Sequence, residues 1–86
     1  MSYSVIIKRS AEKELERLDD TIHDRIIESI IGLKEEPRPR GCEKLKGQEN
    51  YRIRIGEFRV VYAIDDKTRI VEIIKIADRK EIYKKR

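Results

Sequence analysis

A chain of 86 residues is long enough for one domain with a modest core and too short for a second catalytic domain. Charged residues make up 44% of it and aromatics 6%, yet Ile, Val and Leu recur periodically, which argues against disorder. The net charge of +4 is unevenly held: residues 1–43 carry 8 basic and 10 acidic side chains, residues 44–86 carry 13 and 7. An anionic partner therefore belongs on the second half, and nucleic acid is the commonest such partner for a small basic domain, although ordinary surfaces also carry such an excess.

In chain order, residues 3–8 read as a strand ending in Lys8-Arg9, followed by Ser10 as a helix N-cap with Glu12 and Glu14 in the first turn. Ala11, Leu15, Leu18, Ile22, Ile26, Ile30 and Leu33 then recur at steps of three and four, the period of a buried helical stripe. The stripe runs through Asp19-Asp20-Thr21, so it allows one long helix or two; two are favoured, the second capped by Asp19, Asp20 or Thr21. Pro37 and Pro39 end the helical region, and the polar residues 35–50 read as a long functional loop. Strands follow at about 51–55, 58–64 and 69–77. A basic segment from Arg79 to Arg86 closes the chain.

The order is β-α-α-β-β-β in a single domain spanning 1–86. The fold class is α+β, with the helix pair packed on one face of a mainly antiparallel sheet. The last strand is apolar on both parities, which places it inside the sheet and leaves the direction of Lys75 and the strand order unreadable.

Tyr51 to Tyr62 reads as a hairpin turning at Gly56-Glu57. Ile53 and Ile55 alternate with Arg52 and Arg54, and Phe58, Val60, Tyr62 and Ile64 leave Arg59 on the opposite side. If the apolar rows face the core, Arg52, Arg54 and Arg59 share the open face. Cys42 is the only cysteine, which excludes an internal disulfide and a thiolate zinc cluster and suits a reducing cytoplasm. No apolar run approaches the length of a signal peptide or a bilayer span, so a cytoplasmic protein without membrane contact is expected. No carboxylate-histidine spacing suggests a metal, and no cofactor is expected.

The element order, the Leu45-Lys46-Gly47 approach to the hairpin, Tyr51-Arg52-Ile53-Arg54-Ile55, Phe58-Arg59-Val60-Val61-Tyr62 and the terminal Asp78-Arg79-Lys80-Glu81-Ile82-Tyr83 together resemble the RelE branch of the RelE/ParE toxin superfamily. The resemblance covers nearly the whole chain. It implies a ribosome-dependent endoribonuclease that cuts messenger RNA in the ribosomal A site and is held inactive by a cognate antitoxin.

Metal-independent RNA cleavage uses the substrate's 2′-hydroxyl as nucleophile. The protein must then help remove that proton, stabilise charge on the phosphorane and protonate the leaving 5′-oxygen. The resemblance gives Arg59 and Arg79 the phosphate-stabilising positions and Arg52 and Arg54 a pair of basic positions on the preceding strand. It gives Tyr83 the handling of the 2′-hydroxyl proton or the stacking of substrate. Cations around Tyr83 would lower a phenol value ordinarily near pH ~10. Lys44, Lys46, Lys75 and Lys80 are the expected RNA-binding lysines, and Lys46, Lys75 and Lys80 are candidates for the general acid.

The chain departs from its better-studied relatives in two places. Lysines can stand where it has Arg52 and Arg54, and many relatives have a histidine where it has Asp78. Arginine surrenders a proton far less readily than lysine, and an aspartate can pair with an arginine. Two alternatives therefore stand beside the ribonuclease: a ParE-like toxin that binds gyrase without cleaving RNA, and a catalytically weak RNA-binding module. Tyr51, Tyr62, His23 and Cys42 have ordinary structural readings.

Overall fold

The computed structural model describes residues 2–45, 47 and 49–78. β1 (Ser4–Ile7) leads into α1 (Arg9–Glu16) and α2 (Asp20–Gly32), and then come β2 (Glu43–Lys44), β3 (Asn50–Ile55), β4 (Phe58–Asp65) and β5 (Ile70–Asp78). The five strands lie in the order β1-β5-β4-β3-β2, with β1 parallel to β5 and every other pair antiparallel. This is the expected α+β arrangement with one addition: the segment expected as a loop contains the two-residue edge strand β2. A strand that short has no period to read.

The helical stripe divides into two helices. Leu18 N–H turns back onto the Leu15 carbonyl at 3.1 Å, and Asp19 then caps α2 by accepting from Ile22 N–H at 3.1 Å. Ser10 is not the cap of α1. That helix begins directly from β1: Lys8 donates its N–H to the Ile73 carbonyl at 2.9 Å, finishing the strand pairing, while its own carbonyl accepts from Glu12 at 2.9 Å. Strand pairing thus sets where the helix starts.

Ala11 and Leu15 of α1 and Ile26, Ile30 and Leu33 of α2 pack with Ile53, Ile55, Val60, Tyr62, Val71, Ile73 and Ile76 into one core, so both helices cover the same sheet face. β5 explains its own unreadable pattern. A bulge opposite Val61 and Tyr62 pairs them with Lys75 and Ile73, leaving Ile74 over. The buried row accordingly changes parity, from Val71 and Ile73 to Ile76.

β1 pairs with β5 only as far as Ile73, and beyond it Glu14 of α1 takes the place of a strand. Its carboxylate accepts from Ile76 N–H at 2.8 Å and from Lys75 Nζ at 3.1 Å. A backbone donor that would otherwise lack a ladder partner is satisfied by a charge.

The chain between α2 and β2 is pinned by a polar clasp. Tyr62, fully buried, donates its hydroxyl to the Pro37 carbonyl at 2.8 Å. Arg38 donates to the Tyr51 hydroxyl at 3.1 Å and to both Asp66 oxygens at 2.9 and 3.4 Å, and Tyr3 donates to Asp66 at 2.7 Å. The Arg38 guanidinium lies 5.1 Å from the Tyr51 ring centre, and Tyr51 stacks on Tyr62 at 6.0 Å. Burial is the main cause that pushes the Tyr62 hydroxyl above the ordinary phenol range, so it holds its proton and acts as donor. Tyr62→Phe removes that donor and is expected to cost about 0.5–1.5 kcal/mol, read from the shift in urea midpoint at unchanged m-value.

Candidate functional site

The hairpin register builds the site. A two-residue turn joins β3 to β4, with positive φ at Gly56 (+60°) and not at Glu57, the pattern of a type II′ turn. That turn pairs Ile55 with Phe58, Arg54 with Arg59, Ile53 with Val60 and Arg52 with Val61. Because Ile53, Ile55 and Val60 are buried, the alternate rungs carry their side chains on the face away from the helices. Two rungs result. One runs Arg54, Arg59 and Ala77 across β3, β4 and β5; the next runs Glu43, Arg52, Val61 and Lys75 across β2 to β5.

Arg52, Arg54 and Arg59 thus share one face, as the alternation predicts. Arg54 and Arg59 stand directly opposite each other, an arrangement disfavoured by like-charge repulsion. Arg52 is ion-paired to Glu43 across the β2–β3 pair. The Glu43 carboxyl lies below the usual carboxylate range, chiefly through the hydrogen bond from Arg52 and that residue's charge, with Arg54 and Arg59 adding to it. Gly41, Glu43, Arg52 and Arg54 line a hollow of about 220 Å³.

The lysines are placed differently. Lys44 pairs with Tyr51, so it lies in the row alternate to the arginines. Lys75 lies in the Arg52 rung, but its ammonium is engaged by Glu14. Asp78 pairs with Phe58, alternate to the Arg59 rung. Arg79, Tyr83, Lys46 and Lys80 lie outside the described residues. Glu43 was not legible as a site residue, because only the register of β2 brings it to Arg52.

A larger hollow of about 390 Å³ lies at the turn between the helices, lined by Glu14, Arg17, Leu18, Asp19, Ile22, Phe58, Ile76 and Asp78. Among the described residues its lining holds three carboxylates and one guanidinium, the wrong sign for a polyanion, so the arginine face is the better nucleic-acid candidate. Among the described residues, no cluster of His, Cys, Asp and Glu could hold a metal ion, and no helix is long and apolar enough to cross a membrane.

Comparison with known proteins is consistent over nearly the whole chain. A family model described as "ParE toxin of type II toxin-antitoxin system, parDE" matches residues 5–83. The chain is 36% identical to a putative toxin RelE1 of Methanocaldococcus jannaschii, over 98% of each. It is 38% identical to a toxin RelE of Mycobacterium tuberculosis, over 95% of this chain and 87% of that one. Its fold is similar to that of a chain in the archaeal RelE-RelB complex from Pyrococcus horikoshii OT3, with TM-score 0.83, 33% identity and coverage of 92% of this chain and 97% of that one.

Three exposed carboxylates are depressed here: Glu43 by Arg52, Asp66 by hydrogen bonds from Arg38 and Tyr3, and Asp65 by the Thr68 and Lys67 N–H groups. A depressed folded-state value means that the unfolded chain binds more protons in acid. The stability these groups contribute is present above about pH 4 and is lost as pH falls through their folded values. Thermal melts between about pH 7 and about pH 3 are expected to show Tm falling below about pH 4. Asp66→Asn should melt lower at neutral pH and lose less on acidification, both effects shrinking in high salt.

Proposed function

Because the chain belongs to the RelE/ParE family of type II toxin-antitoxin toxins and is of RelE type, we propose that it is a ribosome-dependent endoribonuclease that cleaves messenger RNA in the ribosomal A site. The observation that carries this reading is the Arg54–Arg59 rung beside Arg52. Two like charges directly opposed on the sheet face away from the helices repel each other, and a bound phosphate turns the repulsion into shared attraction.

The step follows from what guanidinium groups can do. The substrate's 2′-oxygen attacks the adjacent phosphorus, the bond from phosphorus to the 5′-oxygen breaks, and the products are a 2′,3′-cyclic phosphate and a 5′-hydroxyl. Arg54 and Arg59, with Arg79, hold the non-bridging oxygens and stabilise the charge that builds on them, remaining protonated at any working pH. Tyr83 receives the 2′-hydroxyl proton. The 5′-oxygen takes its proton from Lys46, Lys75, Lys80 or water, and Lys75 must first leave Glu14. Without a histidine near the arginine face, the protein relies on the ribosome to hold the RNA in line.

A cognate antitoxin completes the proposal. The basic face suits a segment that neutralises the arginines as it binds, and relatives of the fold were solved as RelE-RelB complexes. The protein acts in the cytoplasm, where ribosomes are.

Primer extension on a message translated in a ribosome-containing extract tests the cleavage. Wild type should cut within codons at the A site, and Arg59→Ala should cut about 10²–10³-fold more slowly. Absence of cleavage, or equal cleavage by Arg59→Ala and Tyr83→Phe, would overturn the reading; inhibition of gyrase without cleavage would replace it with the ParE-like one.

A further inference from the structure

The three arginines are not equally available. Arg54 and Arg59 face each other with no acid between them in their rung, which continues to Ala77. Arg52 is paired across the next rung with Glu43, the one acidic residue of β2. A carboxylate offers a guanidinium the same two-oxygen edge that a phosphate does, so Glu43 and a phosphate compete for one group.

We propose that Glu43 is a built-in counter-anion that occupies Arg52, so that the face offers RNA one open guanidinium pair, Arg54 and Arg59, and engages a further phosphate only by displacing Glu43. The inference rests on reading this face as an RNA-phosphate surface. It adds an electrostatic threshold: a single phosphate gains two guanidinium groups at once, and only a longer strand can recruit the third.

Three observations support it. The Glu43 side chain is 62% exposed and that of Arg52 28%, so the carboxylate can swing into solvent while the guanidinium stays on the sheet. An exposed pair of this kind is weak and screened by salt, which makes it displaceable by a polyanion. The hollow lined by Gly41, Glu43, Arg52 and Arg54 lies beside the pair, and Gly41, at φ +92°, has nothing within 4 Å of where a Cβ would stand. The space for a phosphate adjoins the group that Glu43 would release. The charges of Arg54 and Arg59 also reach Glu43, so it lowers the positive potential of the whole face, beyond Arg52 alone.

Strand β2 provides the placement. Glu43 pairs with Arg52 and Lys44 with Tyr51, and Leu45 N–H continues the contact by donating to the Asn50 carbonyl at 2.9 Å. Shifting β2 by one residue would put Lys44 against Arg52 and remove the counter-charge, so the register of a very short strand decides whether the face is partly neutralised.

The test is a fluorescence-anisotropy titration of the purified protein with a fluorescein-labelled single-stranded 2′-O-methyl oligoribonucleotide, which cannot be cleaved by 2′-hydroxyl attack. Glu43→Gln should bind about tenfold tighter, as one charge-assisted contact becomes available. The slope of log affinity against log salt should steepen by about 0.7, the increment for one further phosphate contact on a single strand. Glu28→Gln on α2 removes the same charge from the helix-covered side, and its smaller effect should separate a local contact from net charge. Adding Arg52→Ala to Glu43→Gln should abolish the gain. The proposal is overturned if Glu43→Gln binds no tighter than wild type, if Glu28→Gln matches it, or if the double variant keeps the gain. Unchanged binding by Arg54→Ala would instead sink the reading of the face as an RNA-phosphate surface.

Discussion

The arrangement depends on one constraint, the register between β3 and β4. Ile53 and Val60 must meet on the core side, and the two-residue turn at Gly56-Glu57 then leaves Arg54 no partner but Arg59. A slip of one residue would turn the isoleucines to water and bury three guanidinium groups, a loss far beyond what any local rearrangement returns. The core therefore enforces a repulsive surface contact. Hydrophobic burial is the larger effect, and the like-charge rung persists because it is attached to that burial.

The remaining elements hold the hairpin and its neighbours in place. The helices cover only one face, and among the described residues no helix lies over the arginine side. The clasp of Arg38, Asp66, Tyr3, Tyr51 and Tyr62 ties the chain after α2 to the far end of the sheet, which fixes where β2 can begin. Glu14 supports β5 where β1 ends and engages the Lys75 ammonium there. Each is a local polar solution to a backbone or charge problem, and together they divide the basic residues into an open pair, a neutralised arginine and a tethered lysine.

The parts of this arrangement that were legible in the sequence rest on alternation over five or more residues. Ile53, Ile55 and Val60 against Arg52, Arg54 and Arg59 showed both the hairpin and the shared charged face, and the helical stripe from Ala11 to Leu33 showed the covering layer. What was not legible depends on contacts distant in sequence. Lys8 and not Ser10 starts α1 because Lys8 must first pair with Ile73. Ile74 breaks the period of β5 because the bulge is a property of two strands. Glu43 becomes part of the site only through the pairing of β2, whose two residues carry no periodic signal of their own.

The choice of arginine at 52 and 54 also separates two chemical tasks. Guanidinium groups stay charged at any working pH and match phosphate with two donors each, so this face can hold and stabilise a developing negative charge without changing its own protonation. The same property makes it a poor source of protons. Of the lysines, Lys44 stands in the Tyr51 row and Lys75 is engaged by Glu14, so neither ammonium is committed to the arginine face. A sheet of this composition fixes charge and position, and proton transfer has to be carried by groups from elsewhere in the chain or by water. That division accounts for why Arg52, Arg54 and Arg59, although they gather on one sheet face, need Tyr83 and a lysine or water to carry the protons of the proposed reaction.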